Sequence, residues 1–260
     1  MKEFKNIIGE IYRLKVPFED LYTSVFLIRT EQGDALIDCA TYASDVDNYI
    51  IPALDALKVG LMDIQYLILT HNHGDHAGGK QRILELNPKI KIISGVAEKI
   101  LNDLTIYEMK GHTLDCIGVL DIQSGTLISG DGLQGAGVGK YRCSLESKTE
   151  YIKTIEKIKS DERVKNIFFS HAYEPWYQDG VRGRRQVLKM LEDFYPERMA
   201  DRILGMGDIV SVGNGIKKTT QPQLLQNKPG ILGGRTDCQL VSPLTQHVQR
   251  VLHFIRKIRR

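Results

Sequence analysis

The sequence predicts a four-layer α/β fold, an αββα sandwich in which two sheets pack face to face beneath outer helices. Two observations carry this expectation. Residues 1–200 alternate β-rich stretches with amphipathic helical ones, and the strand-rich stretches fall into two halves, each followed by helices. At 260 residues the chain is long enough to bury a substantial core, and its 42% apolar and 26% charged residues are ordinary for a globular protein.

The elements follow in order. Val25–Arg29 and Ala35–Asp38 flank the turn-forming Glu31-Gln32-Gly33-Asp34, a β-hairpin pattern. Asp45 to Lys58 reads as a helix with Tyr49, Ile50, Leu54 and Leu57 on one face and a kink at Pro52. The apolar run Gln65–Leu69 reads as a strand, followed by a polar loop, a short helix at Lys80–Glu85 and a strand at Lys89–Ser94. A second hairpin is expected at Cys116–Ile122 and Thr126–Ser129, turning on Gln123-Ser124-Gly125. Ser147-Lys148-Thr149-Glu150 is a capping box opening a helix with Ile152, Ile155 and Ile158 inward. Asn166–Phe169 reads as a buried strand and Arg184–Phe194 as an amphipathic helix.

Composition narrows the function classes. No apolar run approaches the roughly 20 residues of a membrane span, and the charged start Met1–Asn6 lacks the apolar core of a secretory signal. Cys39, Cys116, Cys143 and Cys238 lie far apart with no C-x-x-C pair, so neither a disulfide framework nor a thiolate zinc site is expected, and the setting is expected to be cytoplasmic. Residues 201–260 hold ten Lys/Arg against three Asp/Glu, a local +7 in a chain of net +3, so residues 1–200 sum to −4. The domain expected to act is therefore 1–200, and 201–260 is a basic tail of unclear structure, in which His247 and His253 lie away from the site.

The loop Thr70-His71-Asn72-His73-Gly74-Asp75-His76 packs four metal-competent side chains into six residues at the end of a strand. Three imidazoles and a carboxylate so close together are poor neighbours without a cation between them, and imidazole is a preferred ligand of zinc and its neighbours. Further candidates sit in comparable places: His112 in Gly111-His112-Thr113, Asp131 between Gly130 and Gly132, and His171 after the apolar strand Asn166–Phe169. Singly, His112 also reads as a structural histidine and Asp131 as a turn aspartate. Together with the loop they make up two coordination shells.

His71-x-His73-x-Asp75-His76, then His112, Asp131 and His171 in this order, resembles the metallo-β-lactamase-fold superfamily of metal-dependent hydrolases over about residues 20–195. The resemblance implies that His71, His73 and His112 hold one metal, that Asp75, His76 and His171 hold a second, and that Asp131 bridges them. Asp38 would orient the loop without ligating. The chain departs from the family in two places: Asp131 stands where the best-known β-lactamases put a Cys, and Leu114-Asp115 follows Gly111-His112-Thr113 in place of a Thr-Pro-Gly continuation, with Asp115 expected to cap a turn.

The reading that results is a dinuclear hydrolase in which a metal-bound hydroxide attacks a small ester, thioester, lactone or phosphoester. Two bridged cations about 3.5–4 Å apart bring a shared water from pKa 15.7 to about 7, and Asp75 is the expected general acid/base. Two divalent ions are implied, with zinc expected and iron or manganese also compatible with all-His/Asp ligation. Tyr173 and Lys140 are the candidate substrate contacts, Tyr173 through its phenol or else as an edge-strand aromatic, Lys140 toward an anion or else solvated. Glu174–Tyr177 reads as an aromatic wall, and Arg182, Arg184 and Arg185 hint at an anionic group. Two alternatives stay open: a mononuclear iron enzyme like the family's persulfide dioxygenases, and a metal-dependent binding protein whose basic tail contacts nucleic acid. The partner expected is a small-molecule substrate, with neither membrane nor nucleic acid called for; the oligomeric state is not legible.

Overall fold

A computed structural model describes residues 3–95, 103–137, 143–173 and 177–199, with short backbone pieces at 211–212 and 215–216. The six-stranded first sheet has the order β1 (Lys5–Ile8), β2 (Ile11–Phe18), β3 (Leu21–Thr30), β4 (Gly33–Ile37), β5 (Ile64–Leu69), β6 (Lys91–Ser94). Strands β1 to β4 form an antiparallel meander, and β4, β5 and β6 are parallel. The five-stranded second sheet runs β11 (Gln178–Arg182), β10 (Asn166–Tyr173), β9 (Thr126–Ile128), β8 (Ile117–Asp121), β7 (Leu104–Glu108), with only β9 and β10 parallel.

Three cores separate four layers. On β3, Phe26 and Ile28 point to one face while Val25 and Leu27 point to the other, as the two-residue strand period requires. Phe26, Ile28, Ile37 and Ile68 meet Ile117, Val119, Ile128 and Phe168 between the sheets. Outside the first sheet, Leu27, Leu36 and Leu67 pack on Val46, Ile50, Leu54 and Ile83. Those four lie on a segment running through α1 (Ala43–Asp45), a π-helical turn (Val46–Ile50) and α2 (Ile51–Ala56), and, beyond the short α3 (Gly74–Ala77), on α4 (Lys80–Leu86). Outside the second sheet, Leu127, Ile167 and Phe169 pack on Tyr151, Ile155, Ile158, Val187 and Leu191 of α5 (Lys148–Ser160) and α6 (Arg184–Asp193). Each fully buried Leu, Ile or Phe contributes roughly 1.5–3 kcal/mol, so both helical layers are held by burial.

The expected αββα sandwich is therefore the fold, with local corrections. Pro52, which has no N–H to give, is preceded by the π-helical turn, so the helix expected over 45–58 is one segment with a wide turn in it. Ser147 caps α5 by accepting from the Glu150 N–H at 3.3 Å, but the inward residue at its start is Tyr151 and not Ile152. Strands β1, β2, β7 and β11 fall where no strand is read from the sequence. The strand expected to stop at Phe169 runs on to Tyr173, although its pairing with β9 ends at Phe168. Strands Ser211–Val212 and Gly215–Ile216 pair with each other, and the rest of 201–260, with Cys238, His247 and His253, lies outside the described residues. No helix among the described residues is long and apolar enough to cross a membrane.

Candidate metal centre

The strand ends of both sheets converge on one edge of the sandwich. Asp38 follows β4, Thr70 and His71 follow β5, Asp131 follows β9, and His171 extends β10 past its neighbour. Ile117 N–H donates to the Thr70 carbonyl at 2.8 Å and ties the two sheets together there. Gly130 has φ +53°, and a Cβ on it would lie 2.5 Å from Thr70 Cβ, so the close approach of the two strand ends needs glycine.

Four of the five imidazoles are oriented by what their outer nitrogen donates to. Asp38 is fully buried and has φ +61°, in the left-handed region. Its carboxylate accepts from Thr70 N–H at 2.8 Å, Thr70 Oγ1 at 2.9 Å and His76 Nδ1 at 2.8 Å. Thr70 Oγ1, spent as a donor on Asp38, accepts from His71 Nδ1 at 3.2 Å. His112 Nδ1 donates to the Ser144 carbonyl and His171 Nδ1 to the Tyr22 carbonyl, both at 2.7 Å. The Nε2 lone pairs of His71, His76, His112 and His171 therefore face inward.

What faces inward does not satisfy itself. His71 Nε2 lies 2.9 Å from His73 Nδ1, which lies 3.0 Å from His112 Nε2, three nitrogens in contact. His76 Nε2 is 3.3 Å from Asp75 Oδ2 and 3.7 Å from Asp131 Oδ2, yet it is buried with no aligned hydrogen-bond partner. His171 Nε2 stands 3.3 Å from Asp75 Oδ2 and 3.5 Å from Asp131 Oδ1. Among the described residues, three overlapping sets have ligand atoms close enough for one ion: His71/His73/His112, His71/His76/Asp131 and Asp75/His76/His171. Inward lone pairs crowded around an orphaned buried nitrogen fit a cation, and imidazole with carboxylate is the donor chemistry of zinc and its neighbours.

Burial, with His76 close by, holds His71 well below the usual imidazole range, and burial with His112 and His76 lowers His73, so both stay neutral and able to ligate. Burial lowers His76 and His171, but the facing carboxylates outweigh it, Asp75 and Asp38 for the first and Asp131 and Asp75 for the second. Both are raised above the usual imidazole range, so this half of the cluster attracts positive charge. Burial pushes the carboxyls of Asp75 and Asp131 up, but the facing histidines outweigh it, and both stay ionised. The buried thiols are no part of this chemistry, since burial raises Cys116 and Cys143 to about 12.

All seven expected ligands, His71, His73, Asp75, His76, His112, Asp131 and His171, come together around a cavity of about 170 Å³ or in its wall. Tyr173 is buried, lies on an inner strand and donates its hydroxyl to Asp131 Oδ1, so the edge-strand reading of it does not hold. Asp115 does more than cap a turn: it accepts from Asn72 Nδ2 at 2.6 Å and so joins the His71–His73 loop to the His112 loop. Arg184 spends its guanidinium on the carbonyls of Ile158, Lys159 and Val164, and Arg182 donates to Ile7, which gives both a structural use. Lys140 and Glu174–Trp176 lie outside the described residues. Residues not read from the sequence complete the cavity: Phe18, Leu21, Gln134 and Ser144 line it, and Thr23 donates to Asp75 Oδ2 at 3.3 Å. Only Gln134 carried a local signal, three residues after Asp131 in the glycine-rich loop.

The metallo-beta-lactamase superfamily model matches residues 19–104, the part that holds His71 to His76. A hydroxyacylglutathione hydrolase of Legionella pneumophila (strain Lens) is 23% identical over 197 residues, covering 66% of this chain and 74% of that one. Its counterpart in strain Corby is 26% identical over 164 residues, and this chain covers 64% of its length. The beta-lactamase-like protein 2 homolog of Drosophila melanogaster is 27% identical over 226 residues, 73% of each chain. Among solved structures, the metallo-beta-lactamase FIM-1 of Pseudomonas aeruginosa in its mono-zinc form superposes with a TM-score of 0.58 at 16% identity, over 75% of this chain and 95% of that one. Rubredoxin oxygen:oxidoreductase of Desulfovibrio gigas reaches the same TM-score at 14% identity, over 74% of this chain and 61% of that one. The fold, the sequence match over residues 19–104 and the His/Asp cluster define the class that the chain resembles, the metallo-β-lactamase superfamily. With the His/Asp cluster, that likeness places the chain among metal-dependent hydrolases.

Proposed function

We propose that this chain is a dinuclear metal hydrolase acting on a small ester, thioester, lactone or phosphoester, with zinc as the resident metal. His71, His73 and His112 would hold one cation, Asp75, His76 and His171 the other, and Asp131 both. The observation that carries the reading is the inward convergence of four Nε2 atoms and one Nδ1 on two carboxylates, with the buried His76 Nε2 near both carboxylates but without an aligned hydrogen bond. Cations bound there supply Lewis-acid chemistry, a water acidic enough to give hydroxide near neutral pH and a polarised substrate oxygen.

The chain's own residues do the rest. Asp75, partly exposed to the cavity and steadied by Thr23, takes the proton from the attacking water and returns it to the leaving atom. Tyr173 fixes the Asp131 carboxylate through its hydroxyl. Phe18 and Leu21 give the cavity lining an apolar part and Gln134 and Ser144 a polar one, a mixture that suits an acyl group bonded to a polar leaving part. The relatives named hydroxyacylglutathione hydrolases favour thioesters as the first substrates to try.

The test is hydrolysis of S-acyl thioesters, phenyl esters, lactones and bis(p-nitrophenyl) phosphate by chelator-stripped and zinc-reloaded protein. Turnover of one class that returns with zinc and falls by about 10²–10⁴ in Asp75→Asn is expected from loss of a general acid/base. Full turnover in Asp75→Asn would remove Asp75 from that role.

A further inference from the structure

The second sheet's edge strand, β11, carries Asp179, and three side chains of the first sheet converge on it. Arg13 Nη1 and Lys15 Nζ, alternate residues of β2 and so on one face of it, approach the Asp179 carboxylate at 2.8 and 2.6 Å. The Tyr22 hydroxyl donates to Asp179 Oδ2 at 2.8 Å, and Lys15 Nζ sits 4.2 Å from the centre of the Tyr22 ring. Asp179 is half-buried, and two cations with a hydroxyl offset the cost of withdrawing its charge from water.

This cluster joins the metal centre at the start of β3. The Tyr22 carbonyl accepts the His171 Nδ1 proton, and the next residue, Thr23, donates to Asp75. Two adjacent residues therefore orient two of the three side chains in the Asp75/His76/His171 group. The third, His76, together with His71 and His112 of the other group, is oriented by Asp38, Thr70 and Ser144, through hydrogen bonds that do not involve this cluster.

We infer that Asp179, acting through Tyr22, is a positioning residue for one of the two metal groups: it anchors the start of β3 between the sheets so that His171 presents Nε2 and Asp75 its carboxylate to the same ion. The inference rests on the two-cation reading. Where the two groups differ in their supports, they should respond separately to loss of one of them.

The experiment is a zinc titration of the chelator-stripped full chain against a chromophoric competitor, for the wild type, Tyr22→Phe and Asp179→Asn. Melting temperatures of the metal-free proteins accompany it. Tyr22→Phe removes one hydroxyl and keeps the carbonyl, so it stays informative even where a change at Asp179 costs stability. The wild type is expected to show two binding steps. In both variants one step should weaken by about 10–100-fold, the range for loss of a group that orients a metal ligand, while the other stays within about twofold. Two steps unchanged in the variants, or both weakened alike, would overturn the inference and leave the two-cation reading standing. A wild type that takes up a single zinc would overturn the reading itself, and the inference with it.

Discussion

At the scale of residues, buried side chains around the cluster are each committed to a partner that leaves one atom for the interior. Asp38 accepts three hydrogen bonds while buried in a left-handed backbone conformation, so no other side chain can reproduce its contacts without loss. Replacing Asp38 by Ala strands the Thr70 N–H and the His76 Nδ1 proton, and is expected to cost roughly 1–3 kcal/mol per orphaned group and to weaken metal uptake about 10–100-fold. Chemical denaturation of the metal-free protein and a zinc titration check the two effects separately; unchanged zinc affinity would reduce Asp38 to a stabilising role. The seven candidate ligands were legible in the sequence because their side chains are themselves the chemistry, and four of them crowd into six residues. Tyr22 and Asp179 were not, since they meet across 157 positions and Tyr22 serves through a carbonyl that every residue possesses.

At the scale of elements, the site depends on strand ends brought unusually close and on a link between the sheets. A Gly130→Ala variant places Cβ against Thr70 in a positive-φ position, so a loss of roughly 1–3 kcal/mol is expected for overpacking, seen as a melting temperature lower by several degrees. Zinc uptake should fall as well, because Thr70 and Asp131 are pushed apart. The β2–β11 link has a pH signature. Burial pushes the Asp179 carboxyl up, but Lys15, Arg13 and Tyr22 outweigh it and bring it from 3.8 to about 2. A carboxyl lowered on folding stabilises the fold above its unfolded value, and that stability is lost as the pH falls from about 4 through about 2. Urea midpoints over that window should decline less in Asp179→Asn than in the wild type; parallel declines would show that Asp179 is not part of the acid response. Helices with periodic apolar faces and hairpins with glycine turns were read correctly, because local pattern decides them. The edge strands β1, β7 and β11 were missed, since an edge strand needs only one well-packed face and shows a weak pattern.

At the scale of the whole molecule, the four-layer arrangement explains why one edge gathers ligands from residues 71 to 171: parallel pairing of β4 with β5 and of β9 with β10 points those strand ends the same way. We place the acting domain in residues 1–200 and assign no part of the site to the basic stretch beyond. A chain ending at residue 200 is accordingly expected to keep the zinc uptake and turnover of the full chain, and loss of either with the fold intact would bring the tail into the function. The most direct test of the two-cation site is metal content per chain by elemental mass spectrometry, on protein purified without chelator or added metal. About two ions per chain, zinc above all, is the result this account predicts. One iron per chain, or no metal and no gain on reconstitution, would contradict it.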